Sequence, residues 1–343
     1  MLRRITLLAV AALALQGCDG GSAREIRVVG SSTVFPFTTA VAEAFVNQDS
    51  TRKPPVVESI GTGAGMKRFC DGAGWEYPDI VNASRRMKKS EFELCAKNGV
   101  GDVLEVQIGV DGVALAEANN GPKLDLSKRD VYLALAAAPN GQPNRTRFWR
   151  DVNPALPAIP IQVMGPPSTS GTRDALVELI MEPGCAEAQP QAKALKAAKD
   201  TAPYDKLCKR IRDDGAYIDK GENDNLIVQG LAQNPNAIGV FGYSYLEENI
   251  ERLHGVPIEG VAPSYQAIAE GRYPGARPLY IYVKKRHLRA VPGLADFVRL
   301  YSTMWNPDGK LVRRGLIAAP EAVRARSIQI IDQGAALTAD GLH

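Results

Sequence analysis

The chain has 343 residues, 45% of them hydrophobic, and its 41 basic and 38 acidic residues give a formal net charge of +3. This length and apolar content predict a sizeable core divided between two lobes. The near-balanced charge, without a long run of basic residues, argues against a dedicated nucleic-acid surface.

The N-terminus has the pattern of a targeting segment. The basic "MLRR" precedes an apolar run, Ile5–Leu15, which is too short to span a bilayer and typical of a signal peptide. "LQGC" then resembles a lipoprotein box, with Gln16 an unusual occupant, which predicts a signal peptide over residues 1–18 and lipidation of Cys18. Cleavage after Ala23 is the alternative. Both predict export to the periplasm, as an anchored or a soluble protein.

The remaining cysteines favour two local disulfides, Cys70–Cys95 and Cys185–Cys208, although four cysteines allow three connectivities. Each bond would stabilise the fold by roughly 3 kcal/mol in the chain-entropy model, in an oxidising compartment. A zinc site is the rival interpretation, but there is no C-x-x-C and the histidines are scattered, at His254, His287 and His343. No metal and no cofactor are predicted.

The first part of the chain alternates between strand and helix. The predicted elements are a strand at Ile26–Gly30, a helix at Pro36–Gln48, a strand at Pro54–Gly61, a helix near Met66–Cys70 and a strand at Asp79–Ser84. Such alternation indicates an α/β fold with a mainly parallel sheet flanked by helices.

The next elements predict a second lobe. An extended run at Glu105–Ala118 carries the chain across, and a strong strand at Arg277–Lys285 carries it back. Between them lie a strand at Ile159–Gly165, a helix from about Thr172 to Met181, a helix at Asn225–Pro235 and a strand and turn at Ala237–Leu246. We therefore predict lobe 1 over residues 25–106 and 280–343, lobe 2 over 107–279, and hinge strands between them.

Three turns of the same kind follow predicted strands. They are Gly30–Thr33, Gly61–Gly65 and Ser168–Arg173, and each opens a helix with hydroxyls and small residues. Free N–H groups at a helix start, with the positive end of its dipole, bind anions. Each turn could instead be a plain helix cap. Their occurrence in both predicted lobes favours one shared anion site.

Two other functions fit the sequence less well. The glycines of Gly61–Gly65 are not a dinucleotide fingerprint, because Met66 stands where the third glycine belongs, and no Walker motif is present. A secreted hydrolase built on Ser170 lacks the G-x-S-x-G elbow, and its histidine would have to be His254 or His287. The sequence therefore predicts a binding protein and not an enzyme.

Five blocks carry a family resemblance: "VVGSSTVFPFTTAVAEAF", "ESIGTGAGMKRFCDG", "DIVNASRRM", "STSGTRDAL" and "NPNAIGVFGYSYL". Together they resemble the periplasmic phosphate-binding proteins of the Pst-type ABC transporter, over most of residues 25–285. The resemblance implies a two-lobed periplasmic binding protein of type II, which closes by hinge motion around inorganic phosphate and delivers it to an inner-membrane ABC permease. We also expect a monomer without a nucleic-acid partner, which meets the membrane only through the lipid on Cys18.

The resemblance also implies a set of phosphate-binding residues. In the order of the motifs they are Ser32, Thr33 and the Val34 backbone, then Thr62 and Gly63, then Ser170, Gly171 and Thr172. Ser168 and Arg173, which belong to the third turn, and Asp224, on a loop that could reach the cleft, are further candidates from their positions.

Two positions depart from the pattern. Arg85 stands where many members have an aspartate, and Pro166 stands where many have an arginine, so Arg85 is expected to supply the site's cation, with bidentate donors. The missing acid matters because phosphate, unlike sulfate, carries a proton that a carboxylate can accept. Asp224 or Glu222 could replace it, or each could belong to a solvated turn. Without such an acid, the ligand could be another tetrahedral oxyanion or an organophosphate.

Overall fold

The computed structural model of the chain describes residues 24–168, 170–198, 200–221 and 223–342. The predicted signal peptide and Cys18 lie outside the described residues. Within those ranges, no helix is both long and apolar enough to cross a membrane.

The first part of the chain folds into the predicted alternation of strands and helices. Its elements are β1 (Arg27–Gly30), α1 (Phe35–Gln48), β2 (Val56–Ser59), α2 (Thr62–Cys70), β3 (Ile80–Ala83) and α3 (Lys89–Lys97). The long strand β4 (Val103–Ala118) follows.

The middle of the chain forms the second lobe. Its elements are α4 (Lys128–Leu135), α5 (Trp149–Val152), β5 (Val163–Gly165), α6 (Gly171–Leu176), α7 (Glu182–Ala188), α8 (Ala192–Ala197), α9 (Ala202–Cys208), β6 (Tyr217–Asp219), α10 (Asn225–Gln233), β7 (Ile238–Gly242), α11 (Tyr243–Glu248), β8 (Leu253–Gly255) and α12 (Tyr265–Ala269). A π-helical turn, Val177–Met181, joins α6 to α7. The predicted end of this helix at Met181 is therefore wrong, because Pro183 sits in the first turn of α7, where proline is tolerated.

The last part of the chain returns through β9 (Ala276–Lys284) and forms α13 (His287–Ala290), α14 (Leu294–Met304) and α15 (Glu321–Gln333). In one half of the sheet β1 pairs in parallel with β2 and β3, and in the other half β5 pairs in parallel with β6 and β7. The antiparallel strands β4 and β9 connect the halves, with an irregularity between Gln107 and Gly109. The predicted α/β class, with two lobes and hinge strands, is confirmed.

Each lobe has its own core, and β4 contributes to both. Leu104 and Val106 pack into the core of the first lobe, whereas Val113 and Leu115 pack into that of the second. The predicted lobe boundaries at residues 106 and 279 fall inside β4 and β9. They stay a prediction about which residues move together.

Two disulfides fasten peripheral helices, in the pairing that the sequence favours. Cys70 at the end of α2 is bonded to Cys95 in α3, with an S–S distance of 2.00 Å. Cys185 in α7 is bonded to Cys208 at the end of α9, with an S–S distance of 1.98 Å. Each bond closes a local loop, as expected for an exported protein.

A buried polar cluster lies where β1 and β3 begin. The Asp79 carboxylate is fully buried and accepts hydrogen bonds from Arg24 Nη1 at 2.6 Å and from the Arg27 backbone N–H at 2.8 Å. His287 Nδ1 lies 2.6 Å from the same carboxylate. Because the predicted anion-binding turns follow the carboxyl ends of these strands, this cluster lies at the opposite end of the sheet.

Lys284, at the end of β9, gives a test of this buried region. Its ammonium group is fully buried, donates to the Gly72 carbonyl at 2.5 Å and lies over the Phe69 ring at 4.9 Å from the centroid. Burial lowers the pKa of Lys284 to about 8 from an ordinary 10.5. The unfolded chain therefore binds more protons at this lysine between these values, so the contribution of Lys284 to the free energy of unfolding should rise with pH, by about 2 kcal/mol between pH 7 and 9.5.

Urea unfolding at the two pH values measures this rise. Lys284→Met keeps an apolar stem of similar length and cannot titrate, so it should flatten the pH profile. An equal rise in the variant would assign the effect to another group.

Candidate functional site

The carboxyl ends of β1, β2 and β3 bring two of the predicted turns to one edge of the sheet. Gly30, at the end of β1, has φ +131°, and a Cβ there would lie 2.2 Å from the Asn82 carbonyl oxygen. Its own carbonyl accepts the backbone N–H groups of Ile60 and Gly61, each at 2.9 Å. Glycine at this position therefore permits the close approach of β1 to Asn82 of β3, while its carbonyl holds the turn that follows β2.

The turn after β1 leads directly into α1. Ser31 is buried, its N–H donates to the Asn82 carbonyl at 3.0 Å, and its hydroxyl accepts the Val34 N–H at 3.4 Å. The Val34 N–H, which belongs to the backbone that the resemblance places at the anion, thus already has an intramolecular partner. Ser32 and Thr33 are only partly buried, and both contact the other lobe.

The turn after β2 joins the one after β3. Thr62 Oγ1 lies 3.0 Å from Ser84 Oγ and accepts the Ser84 backbone N–H at 3.1 Å. Gly63, in the first turn of α2, is exposed, and a Cβ there would meet no atom within 4 Å. The hydroxyl of Thr62 therefore positions two loops, while the start of α2 stays open.

The turn of the second lobe closes against the first lobe. Ser170 caps α6, since its hydroxyl accepts the Thr172 N–H at 3.2 Å. A Cβ on Gly171 would lie 3.1 Å from Thr33 Cα, and the hydroxyl of Ser32 donates to Asp174 Oδ2 at 3.1 Å. The hydroxyl-rich turns of both lobes thus meet in a closed cleft.

A buried arginine on a hinge strand joins the same contact. Arg277 of β9 is 4% exposed and donates from Nη2 to Thr33 Oγ1 at 2.6 Å. Its Nη1 donates to Glu178 Oε2 at 2.5 Å, and its Nε donates to Asp111 Oδ2 at 3.2 Å. Arg277 therefore touches the first lobe, the second lobe and the other hinge strand at once.

Arg85, the predicted cation, is held within the first lobe. Its two Nη atoms donate to the two carboxylate oxygens of Glu91, at 2.9 and 2.6 Å. This pairing raises the pKa of Arg85. Burial alone would raise the pKa of Glu91, but the hydrogen bonds from Arg85 and from the Lys88 backbone hold it below the usual value. Arg85 thus has a carboxylate partner of its own.

The remaining predicted residues lie around the second-lobe turn. Ser168 is exposed. The Arg173 guanidinium lies over the Tyr217 ring, 4.6 Å from its centroid, and the Tyr217 hydroxyl donates to the Pro166 carbonyl at 2.7 Å. Asp224 is 9% exposed and precedes α10, so its carboxylate belongs to the buried surroundings of that helix start.

The residues needed for the alternative functions are not brought together. Of the two described histidines, His254 lies 3.3 Å from Glu117 and His287 contacts Asp79, so neither pairs with Ser170. The part of the chain that the structure describes holds no group of three or more His, Cys, Asp or Glu residues placed to bind a metal.

Sequence reasoning missed the interlobe contacts of three residues: Arg277, Asp174 and Glu178. One signal was present, because Arg277 is a cation at the start of a crossing strand that is apolar from Pro278 to Val283. Asp174 and Glu178 gave no such signal, since acids on an amphipathic helix usually face solvent.

Known proteins are similar to this chain over most of its length. A family model described as a PBP superfamily domain matches residues 19–302. Protein SphX of Synechococcus elongatus is 32% identical over 329 residues, which are 93% of this chain and 86% of that protein. Phosphate-binding protein PstS of Staphylococcus saprophyticus is 27% identical over 303 residues, 84% of this chain and 81% of that one. The crystal structure of a possible phosphate binding protein from Planctomyces limnophilus superposes with a TM-score of 0.72 at 30% identity, covering 90% of this chain and 98% of that one.

Proposed function

Because this chain belongs to the PBP superfamily, we propose that it is an exported receptor that captures inorganic phosphate between its lobes and delivers it to an inner-membrane ABC permease. The family that the sequence motifs predicted is confirmed, and it is a family of binding proteins and not of enzymes. The names of the relatives from Staphylococcus and Planctomyces support phosphate as the ligand.

The observation that carries this proposal is the meeting of hydroxyl-rich helix starts from both lobes. Gly171 packs on Thr33, and the Ser32 hydroxyl donates a hydrogen bond to Asp174. An anion at this junction would therefore be enclosed by both lobes. Backbone N–H groups and hydroxyls there can surround a tetrahedral oxyanion. The proposed phosphate-binding residues are Ser32, Thr33, Val34, Thr62, Gly63, Ser170, Gly171 and Thr172, with Ser168, Arg173 and Asp224 at the margin. Arg85, which the resemblance implies as the cation, is left out of this set because both of its Nη atoms donate to Glu91.

Two of these N–H groups must exchange partners when the anion binds. The Val34 N–H donates to Ser31, and the Thr172 N–H donates to Ser170. A phosphate oxygen can replace each serine oxygen with a charge-assisted hydrogen bond, which is shorter and stronger. The released serine hydroxyls can then donate to the same anion.

We further propose that the protein is periplasmic and held at the membrane by a lipid on Cys18. The lobes, residues 25–106 with 280–343 and residues 107–279, would then open and close about β4 and β9 as a monomer. Mass spectrometry of the protein extracted from membranes separates lipidation of Cys18 from cleavage after Ala23.

Thermal unfolding of the phosphate-stripped protein tests the ligand. Phosphate and arsenate should each raise the unfolding midpoint by several degrees, since a ligand at about 1,000 times its Kd adds roughly 4 kcal/mol. Sulfate should produce no shift if a carboxylate accepts the phosphate proton, and methylphosphonate tests whether an organic substituent is tolerated. Measurements at pH 6 and pH 8 change the protonation state of phosphate.

Three results would change this proposal. An equal shift with sulfate would favour a second function, that of a less selective oxyanion receptor. The lack of an aspartate at position 85, where Arg85 stands, is the feature that suggests this alternative. No shift with any of these anions would contradict an inorganic ligand. Ser170→Ala should weaken phosphate binding. If instead the wild type hydrolyses a phosphate ester and Ser170→Ala abolishes that hydrolysis, the hydrolase is favoured.

A further inference from the structure

Arg277 has the position and the partners of an anion-binding residue. We infer that the Arg277 guanidinium, and not that of Arg85, binds the captured oxyanion, and that the Glu178 carboxylate occupies its Nη1 until the anion displaces it. This inference rests on the proposed function, because it concerns the same cleft and the same class of ligand.

The first step is the place of the guanidinium. Arg277 Nη2 donates to Thr33 Oγ1 at 2.6 Å, and Thr33 is also the residue on which Gly171 packs. The guanidinium therefore lies against the junction of the two lobes, where the turns meet. With its side chain 4% exposed, its charge is poorly screened by water, so an anion that enters the cleft interacts with it strongly.

The second step compares the two arginines. Arg85 is matched by Glu91 through two hydrogen bonds, and that carboxylate also accepts the Lys88 N–H at 2.9 Å. Glu91 has a side chain that is only 16% exposed, so it has little freedom to withdraw. Removing it would leave the Lys88 N–H without an acceptor and Arg85 with only the Arg86 carbonyl, at 3.1 Å from Nη1. An anion would therefore gain little from Arg85.

The third step is the nature of the partners of Arg277. Asp111 faces Arg277 across the β4–β9 pair and accepts a hydrogen bond from its Nε. The Asp111 side chain is 19% exposed. Glu178 holds Nη1, but its side chain is 53% exposed. Glu178 can rotate into water at small energetic cost, while Asp111 keeps the guanidinium oriented. A carboxylate oxygen at 2.5 Å from Nη1 also shows that an oxyanion fits there.

The local backbone explains why Glu178 reaches this point. It lies in the π-helical turn Val177–Met181, which interrupts the continuous helix formed with α6 and α7. A π-turn inserts one residue and rotates the side chains that follow, and such turns are frequent at functional sites. Glu178 therefore acts as an internal anion that phosphate must displace, and its charge lowers the affinity of the site.

Isothermal titration of inorganic phosphate into the stripped full chain tests the inference with three variants. Arg277→Gln should weaken binding by roughly 10- to 100-fold, the value of a charged hydrogen bond. Arg85→Gln, the matched control, should change the affinity by less than about threefold. Glu178→Gln should tighten binding by roughly 3- to 10-fold, whereas Glu187→Gln, an exposed acid on the same continuous helix, should leave it unchanged.

Each result has a defined meaning. If the wild-type protein binds no phosphate, the proposed function itself is contradicted. If the wild type binds, the inference is overturned when Arg85→Gln loses affinity and Arg277→Gln keeps it, or when Glu178→Gln binds no more tightly than Glu187→Gln. Should Arg277→Gln fail to fold in a ligand-free thermal scan, the Glu178 variant decides alone, because its exposed side chain is not required for folding.

Discussion

Replacing Gly30 by alanine is expected to lower the free energy of unfolding by about 4 kcal/mol or more, among the largest effects of a single substitution. The added Cβ would lie 2.2 Å from the Asn82 carbonyl oxygen and 3.0 Å from its nitrogen. Asn82 cannot yield, because it belongs to β3, which is paired on both sides. The φ of +131° is a further strain for any residue with a side chain.

Urea unfolding of the ligand-free protein measures this loss. Gly63→Ala is the matched control, since a Cβ there meets no atom within 4 Å and the residue lies in a helix. This control should be neutral or stabilise by about 0.5–1 kcal/mol. Equal losses in both variants would show that the Gly30 contact does not limit stability.

Replacing Asp79 by asparagine is expected to lower the free energy of unfolding by about 3–5 kcal/mol near pH 7, because it removes one member of a buried ionic cluster. Arg24 and His287 would lose the carboxylate that both contact at 2.6 Å. The fully buried side chain leaves no route for water to compensate. Urea unfolding of the wild type and the variant gives the difference.

The pH dependence of this loss follows from the pKa of Asp79. Burial would raise it, but the hydrogen bonds from His287, Arg24 and the Arg27 backbone hold it below its ordinary 3.8. The stability that the carboxylate contributes is present above the unfolded value and is lost as the pH falls through the folded one. The difference between wild type and variant should therefore shrink below about pH 4.

An exposed acid provides the control for this substitution. Asp71 forms an i,i+4 pair with Lys67 at 2.9 Å, and both side chains are more than a third exposed. Asp71→Asn should change the free energy of unfolding by no more than about 0.5 kcal/mol. A small loss in Asp79→Asn, similar to that of the control, would mean that the cluster adjusts without its carboxylate.

These two substitutions act at opposite ends of the first-lobe sheet. Gly30 lies at the carboxyl end of β1, beside the proposed phosphate site, so Gly30→Ala should also disturb the Ser31–Val34 turn. Asp79 lies at the start of β3, far from the cleft. Variants of Asp79 that still fold should consequently retain phosphate affinity, which separates stability from binding.

The sequence by itself determined the features that depend on residues close together in the chain. Hydrophobic periodicity and turn chemistry predicted β1, α1, α10 and β9 to within a few residues, and two of the hydroxyl-rich turns lie at helix starts as predicted. The predicted turn Gly61–Gly65 is wrong in its extent, because α2 begins at Thr62 and not near Met66. The disulfide pairs were also favoured correctly, since each joins cysteines fewer than 30 residues apart. Short-range patterns suffice here because capping and periodicity are set within one or two turns.

Only the tertiary structure decided which charges meet in the cleft. Arg277 and Thr33 are 244 residues apart, and Ser32 and Asp174 are 142 apart, so their contacts depend on strand order and on closure of the lobes. Arg85, which the resemblance implies as the cation, is a different case: its partner Glu91 is only 6 residues further along the chain, so this pairing is a local contact. The distant partner of a charged residue is known only when the fold is known, because side chains interact over a few ångströms of space and not over sequence distance.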